Sequence, residues 1–123
     1  MNKVILITGC SSGFGMLTAA KLAAAGHTIY ATMRNLQKQN ALMLELEQRD
    51  TMCQILHLDV TEDKSINKVI DIIEKQAGRL DVLINNAGYG IGGFFEDLLE
   101  DEIRSQFETN FFGVQKVTRS ALP

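Results

Sequence analysis

Three glycines lie close together near the amino terminus, in the segment TGCSSGFG. Gly9, Gly13 and Gly15 follow a short apolar run and precede a stretch of small apolar residues with helical spacing. A turn without side chains lets backbone N–H groups approach a phosphate, and the amino terminus of the following helix favours its negative charge. The segment therefore predicts a pyrophosphate-binding turn. A tight turn that binds no ligand is the alternative interpretation.

Polar residues also follow the later apolar runs. Arg34 stands after the second run, Asp59 and Val60 stand after the third, and the segment NNAG, residues 85–88, follows the fourth. Ligands of open α/β sheets bind at the carboxyl ends of the strands. These residues are therefore predicted to lie beside the glycine turn, at the carboxyl edge of a sheet.

Four strands that alternate with four helices would position these residues. The predicted strands span residues 4–7, 28–33, 54–59 and 80–85. The predicted helices run from residue 16 to Gly26, from Asn35 to about Arg49, from Thr61 to Gly78 and from about Asp101 onward, the last after a glycine-rich loop at 86–93. The alternation predicts right-handed βαβ crossovers and one parallel sheet. The result is a three-layer, doubly wound α/β fold of the Rossmann type with strand order 3-2-1-4.

Apolar faces on the predicted helices would pack on this sheet. The predicted faces are Leu17, Ala20, Ala23 and Ala24 in the first helix, Ile66, Val69, Ile70, Ile73 and Ala77 in the third, and Ile103, Phe107, Phe111, Val114 and Val117 in the last. The last face predicts either core against the sheet, which is the preferred interpretation, or a subunit contact.

The overall composition is that of one globular domain over residues 1–123. No apolar run approaches the roughly 20 residues of a membrane helix. At a net charge of −3, no basic patch predicts a nucleic-acid partner. Cys10 and Cys53 lack the spacing of a redox or metal pair, so they predict free thiols and a cytoplasmic location. No histidine accompanies the acidic residues at 96–102, and no metal site is predicted.

The motifs resemble those of the short-chain dehydrogenase/reductase family. The spacing Gly-xxx-Gly-x-Gly behind Thr8 is similar to the glycine turn of that family. Asp59-Val60, NNAG at 85–88 and Asn110 within ETNFFG resemble its further signatures, in the same order along the chain. The resemblance covers the entire chain. The sequences of the motifs are most similar to those of hydroxysteroid- and retinol-type dehydrogenases and their bacterial relatives.

This resemblance implies an oxidoreductase that transfers a hydride between a dinucleotide and a hydroxyl or carbonyl substrate. It assigns Gly9, Ser11, Ser12, Gly13, Phe14 and Gly15 to the pyrophosphate turn, Asp59 and Val60 to adenine, and Asn86, Ala87 and Gly88 to the ribose and nicotinamide. The alternatives are that Asp59 only caps the following helix and that residues 85–88 only form a turn.

The cofactor preference is predicted from the end of the second strand. An NAD-binding site of this kind presents a carboxylate to the ribose 2′-hydroxyl. Here the stretch Ala31-Thr32-Met33-Arg34 has no acid, and the Arg34 guanidinium suits forked contacts with a 2′-phosphate. NADP(H) is therefore predicted over NAD(H), although Ser12 adds no second base. A solvent-exposed arginine without a ligand is the alternative.

The proton-transfer residues that the family resemblance implies are a serine and a Tyr-x-x-x-Lys pair. The chain has only Tyr30 and Tyr89, which are followed four residues later by Arg34 and Gly93. With an asparagine, the serine, tyrosine and lysine form the catalytic tetrad of the family, of which this chain has only Asn110. The preferred interpretation is that Asn110 is a core residue whose amide is hydrogen-bonded within the protein. The expectation is the nucleotide-binding half of an oxidoreductase, truncated after four strands and inactive alone. A non-catalytic nucleotide-binding or self-associating module is the alternative.

Self-association is predicted from the fourth strand. Val82, Leu83 and Ile84 are consecutive apolar residues, which is typical of a strand buried on both faces. The order 3-2-1-4 leaves that strand at the edge, with unpaired backbone groups. Pairing through this edge or packing through the last helix would give a symmetric dimer.

Overall fold

The computed structural model describes residues 2–89 and 93–122. Its strands are β1 (Val4–Ile7), β2 (Thr28–Met33), β3 (Gln54–His57) and β4 (Val82–Ile84). Its helices are α1 (Gly13–Ala24), α2 (Asn40–Gln48), α3 (Asp63–Ala77), α4 (Glu100–Phe107) and α5 (Gly113–Ala121). Residues 90–92 of the predicted glycine-rich loop lie outside the described residues.

A π-helical segment, Glu108–Phe112, joins α4 to α5. Helical backbone angles continue through both junctions, so α4, the π-helical segment and α5 form one long helix, the fourth of the prediction. Short 3-10 turns occupy Leu36–Lys38 and Phe95–Asp97. The first of these delays α2, because the Asn35 side chain accepts the Gln37 N–H and begins a turn rather than an α-helix.

The four strands form one parallel sheet in the order β3-β2-β1-β4, which confirms the predicted topology. In its register, Ile5 of β1 lies between Ile29 of β2 and Val82 of β4. The ladder continues beyond β1, because the Thr8 N–H donates to the Ile84 carbonyl at 3.1 Å and the Cys10 N–H to the Thr32 carbonyl at 2.9 Å. The carboxyl ends of three strands are thereby brought together.

Two apolar cores cover the two faces of the sheet. Ile5 and Ile7 of β1 point to the layer of α1 and α2, whereas Val4 and Leu6 point to the layer of α3 and α5. All four side chains are buried, as expected for a central parallel strand that is covered on both faces. Within the described residues, no helix has the length and apolarity needed to cross a membrane.

The buried face of α1 differs from the predicted one. Leu17 is 44% exposed, and Ala24 is exposed as well. The buried residues are Gly15, Ala19, Ala20 and Ala23. Gly15 lies so close to the Gly9 carbonyl that a Cβ there would collide with it, and the residues that follow it on the same face, Ala19 and Ala23, are buried as well. Small residues on this face let α1 lie close to the sheet.

The prediction that the apolar face of the last helix is buried in the core is mostly wrong. Val117 is fully buried, whereas Phe107 is 56% exposed and Phe111 is 51% exposed. Ile103 and Val114 are half-buried. Among the described residues, α5 packs against α3, while α4 mainly contacts the π-helical segment. The apolar spacing was correct for a helix, but the surface that would cover α4 is not among these residues.

Strand β4 lies at the edge of the sheet and is shorter than predicted. Val82 is 37% exposed, and Leu83 and Ile84 are half-buried, which agrees with the prediction of an apolar strand at an open edge. The Asp81 side chain precedes the strand and accepts the N–H of Val4 at 2.8 Å. Strand β3 also ends early, at His57, because Asp59 begins a side-chain-stabilised turn.

Candidate functional site

A cleft of about 520 Å³ opens at the carboxyl ends of the strands. This volume lies within the range of small-molecule sites, about 300–1,000 Å³. The predicted residues that line it are Gly9, Ser11, Arg34, Asp59, Val60, Ala87 and Gly88. Sequence reasoning missed Met33, Leu58, Thr61, Tyr89, Ser105, Glu108 and Thr109, which also line it. Ser12, Gly13, Phe14, Gly15, Asn86 and Asn110 are not among its described lining residues.

The three glycines of the first turn have different structural roles. Gly9 has a φ of 70°, and a Cβ there would lie 2.8 Å from the Cα of Ala87. A Cβ on Gly15 would collide with the Gly9 carbonyl. Gly13 has a φ of 60°, yet a Cβ there would meet nothing within 4 Å. Gly9 and Gly15 thus permit close packing, whereas Gly13 faces open space.

The hydroxyl of Thr8 fastens the turn after β1 to the segment after β4. Thr8 is buried, and its Oγ1 accepts the N–H groups of Asn86 and Ala87, each at 3.0 Å. The Asn86 side chain in turn donates to the Gly9 carbonyl at 3.0 Å. Thr8 was not predicted as a site residue. The available signal was a hydroxyl residue at the end of an apolar strand, directly before the glycine turn.

Asp59 stabilises the turn after β3. Its Oδ1 accepts the Thr61 N–H at 2.9 Å and the Thr61 hydroxyl at 2.7 Å. The Ser65 hydroxyl donates to the Asp59 carbonyl at 2.9 Å. The carboxylate therefore stabilises the turn that precedes α3, which agrees in part with the alternative that Asp59 caps this helix. The residue also lines the cleft. Val60 is buried against Gly113, where a Cβ would lie 2.9 Å from that of Val60.

Arg34 and Phe14 are two of the predicted site residues that are exposed. Arg34 directly follows β2 and lines the cleft together with Met33 and Ser11. Phe14 lies in the first turn of α1 and is 86% exposed. The structure thus places the arginine at the cleft, while the phenylalanine ring stands in solvent beside the glycine turn.

Asn110 holds the backbone that follows β4. Its Oδ1 accepts the Tyr89 N–H at 2.9 Å, its Nδ2 donates to the Tyr89 carbonyl, and the Gln106 side chain donates to the same carbonyl at 3.3 Å. A Cβ on Gly88 would lie 2.9 Å from the Asn110 Oδ1. Asn110 is exposed and lies within the π-helical segment, so its predicted location in the core is wrong. Its amide is nevertheless hydrogen-bonded at both ends.

Neither cysteine supplies a nucleophile to this site. Cys10 is buried and donates to the Ile7 carbonyl at 3.4 Å. Burial raises the pKa of the Cys10 thiol to about 12 and that of Cys53 to about 11. Both thiols are therefore protonated near neutral pH and are free, as predicted. Across residues 2–89 and 93–122, no three His, Cys, Asp or Glu side chains cluster where they could hold a metal ion.

Comparison with curated proteins shows relatives along nearly the whole chain. The 3-ketodihydrosphingosine reductase of Bacteroides thetaiotaomicron is 41% identical over 98% of this chain and 41% of the relative. Retinol dehydrogenase 8 of Bos taurus is 38% identical over 98% of this chain and 39% of the relative. The chain therefore spans about two fifths of the length of these relatives.

Solved structures share the fold. A short-chain dehydrogenase from Streptomyces avermitilis matches with a TM-score of 0.85 and 39% identity, over 100% of this chain and 44% of that one. An actinorhodin polyketide ketoreductase solved with NADPH matches with a TM-score of 0.89 and 29% identity, over 98% of this chain and 46% of that one. The family model described as short chain dehydrogenase matches residues 3–123. Since this match extends over almost every residue, and solved members share the same sheet, the chain belongs to the short chain dehydrogenase family.

Proposed function

We propose that residues 1–123 form one nucleotide-binding domain, the NADP(H)-binding part of an oxidoreductase that transfers a hydride to or from a hydroxyl or carbonyl substrate. The observation that carries this proposal is the cleft at the carboxyl ends of the strands. It brings Gly9 and Ser11 of the first turn together with Asp59 and Gly88, which are distant in sequence. Family membership supports a nicotinamide dinucleotide as its ligand.

The pyrophosphate would lie at the amino terminus of α1. Gly13 has open space where a side chain would otherwise project, and Ser11 and Ser12 stand beside it with their hydroxyls and backbone N–H groups. Helix amino termini of this kind bind phosphate through free N–H groups and the helix dipole. These residues, with Phe14 and Gly15, would therefore bind the charged centre of the cofactor.

The two ends of the dinucleotide would lie along the other strand ends. Asp59 and Val60 would contact adenine, and Asn86, Ala87 and Gly88 would support the ribose and nicotinamide. The hydrogen bonds from the loop after β4 to Thr8 keep this support rigid. When bound, the nicotinamide supplies the hydride or accepts it.

Arg34 favours NADP(H) over NAD(H). It is exposed, lines the cleft and follows β2, where a carboxylate would otherwise select a free ribose hydroxyl. The solved polyketide ketoreductase similar to this chain contains NADPH. The guanidinium can donate two hydrogen bonds to a 2′-phosphate.

The described tyrosines do not suit a proton donor, so we expect no turnover by this chain alone. Tyr30 is buried, and its hydroxyl donates to the Gln76 side chain at 3.1 Å. Tyr89 lines the cleft, but Gly93 rather than lysine stands four residues later. Asn110 contributes by holding the Tyr89 backbone beside the proposed nicotinamide site.

A self-associating nucleotide-binding module is the second candidate function. The exposed rings of Phe107, Phe111 and Phe112 favour it, because their exposed fractions are 56%, 51% and 47%. The open edge of β4 is the alternative contact. We also propose a cytoplasmic location, which the two free thiols support.

A fluorescence titration tests the nucleotide assignment. The purified chain is titrated with NADPH and with NADH, and S-adenosylmethionine serves as an adenosyl compound without phosphate that should not bind. We expect saturable binding of NADPH, with a lower dissociation constant than for NADH. Failure to bind either dinucleotide would overturn the proposed function.

A further inference from the structure

Lys116 connects two parts of the cleft wall. It lies in the first turns of α5, and its Nζ donates to the Thr61 carbonyl at 3.4 Å. The same Nζ lies 3.8 Å from Oε1 of Glu108. Both Thr61 and Glu108 line the cleft, although the two residues belong to the turn after β3 and to the π-helical segment. One ammonium group therefore holds these two segments together.

The packing of α5 brings Lys116 within reach of that turn. Gly113, one helical turn earlier, is buried against Val60, and a Cβ at this position would lie 2.9 Å from the Val60 Cβ. Glycine therefore permits an approach that other residues would prevent. Because Val60 directly precedes Thr61, the close contact at Gly113 places the Thr61 carbonyl beside the lysine.

The contact between Lys116 and Glu108 also affects the charge of the cleft. Among its described lining residues, Asp59 and Glu108 are carboxylates and Arg34 is a cation. An anionic nucleotide would be repelled by an uncompensated carboxylate. One oxygen of Asp59 already accepts two hydrogen bonds within its own turn. The lysine compensates the other carboxylate, that of Glu108.

We propose that Lys116 is a positioning residue of the nucleotide cleft, which holds the Thr61 carbonyl in place and neutralises Glu108. It acts through these two groups and does not itself contact the nucleotide. The part that concerns binding rests on the proposed function. The part that concerns the turn after β3 rests only on the contacts described above.

Binding measurements test the electrostatic part. Lys116→Met is compared with the parent chain, with Lys116→Arg, and with Lys75→Met, which removes an equal charge from an exposed position of α3. We expect Lys116→Met to weaken NADPH binding about threefold to tenfold, as for the loss of a partly exposed charged contact. The loss should shrink in high salt, and the arginine and Lys75 variants should bind like the parent.

The double variant Glu108→Gln/Lys116→Met separates charge from fold. Removal of the uncompensated carboxylate should recover most of the lost affinity. Circular dichroism of each variant checks that its helices are retained. If Lys116→Met binds NADPH as tightly as the parent, or the double variant binds no better than the single one, the electrostatic part of the inference is wrong.

Hydrogen exchange tests the positioning part without any nucleotide. The amides of Thr61 and Glu62 donate within the turn, to the Asp59 side chain and carbonyl. They should exchange faster in Lys116→Met than in Lys75→Met, and equal rates would overturn the positioning role. If the parent binds no dinucleotide, the proposed function fails, but this comparison still decides whether Lys116 holds the turn.

Discussion

Arg34 is the residue on which the proposed cofactor preference depends. Its position after β2 is determined by the chain order, and its exposure leaves the guanidinium available to a ligand at the cleft. Met33, before it, has no group that could bind a ribose hydroxyl. In the proposed function, discrimination between NADP(H) and NAD(H) therefore depends on the Arg34 side chain.

Replacement of this arginine by an acid should reverse the preference. We expect Arg34→Asp to weaken NADPH binding by about ten- to a hundredfold, since a charge-assisted hydrogen bond contributes about 1.5–3 kcal/mol. NADH binding should improve relative to NADPH. Fluorescence titration measures both constants, and Arg119→Asp on the exposed face of α5 controls for the charge change. If the parent chain has equal dissociation constants for NADPH and NADH, Arg34 does not select the cofactor.

Gly13 allows a matched pair of variants. Gly13 and Gly26 both have positive φ, 60° and 98°, and a Cβ at either position would meet nothing within 4 Å. Gly13→Val and Gly26→Val should both strain the backbone, by about 1–2 kcal/mol at Gly13 and by more at Gly26, whose φ lies beyond the left-handed helical region, with little change in circular dichroism. Only Gly13→Val should abolish NADPH binding, because its side chain would occupy the proposed phosphate site. Parent-like binding by this variant would make the glycine turn structural only.

At the scale of elements, one carboxylate supplements the backbone hydrogen bonds between β1 and β4. Asp81 Oδ2 accepts the N–H of Val4 at 2.8 Å and the Nε–H of Arg79 at 3.0 Å. The backbone hydrogen bond is the main cause that lowers the pKa of Asp81 below its ordinary value, and the Arg79 contact adds to it. A carboxylate with a lowered pKa stabilises the folded state only while it is ionised.

This pKa gives a pH-dependent prediction. The stabilisation by Asp81 is present above its unfolded pKa, about 3.9, and is lost as the pH falls through the lower folded pKa. Asp81→Asn should therefore lower the urea midpoint at pH 7, and the difference from the parent should narrow below about pH 4. Asp71→Asn, at an exposed position of α3, is the control. A difference that stays constant from pH 7 to pH 3 would contradict the role of ionised Asp81.

At the scale of the whole molecule, two of the regions that expose apolar side chains are the predicted contacts for self-association. Strand β4 presents a short edge, in which Val82 is 37% exposed. The long helix presents Phe107 and Phe111, both more than half exposed. Burial of one large apolar side chain contributes about 1.5–3 kcal/mol, whereas association costs about 4–15 kcal/mol. Several such side chains on each partner are therefore needed, and the helix offers more of them.

We expect the chain to self-associate at micromolar concentration, chiefly through the long helix. Sedimentation velocity should show a dimer that Phe107→Glu weakens strongly and Val82→Lys weakens little. The reverse pattern would assign the contact to the edge of β4. A single monomeric species in the parent would show that neither surface suffices for association.

The sequence by itself predicted the topology and the residues proposed for the site. Unbroken apolar runs, glycine stops and helical spacing are local signals, so the alternation of strands and helices and the residues after each strand followed from them. The doubly wound pattern then supplied the strand order 3-2-1-4, which the structure confirms. The glycine turn, Arg34 and Asp59 were predicted because each directly follows a predicted strand and has a residue type that suits nucleotide binding.

Only the tertiary structure decided which of these residues meet and which faces are covered. Thr8 became a site residue because its hydroxyl reaches Asn86 and Ala87, almost eighty residues later in the chain. Phe107 has the same helical spacing as a core residue, yet it is exposed, since spacing identifies an apolar face but not its partner. Both outcomes depend on contacts between residues that are distant in the sequence. Local sequence patterns do not indicate such contacts.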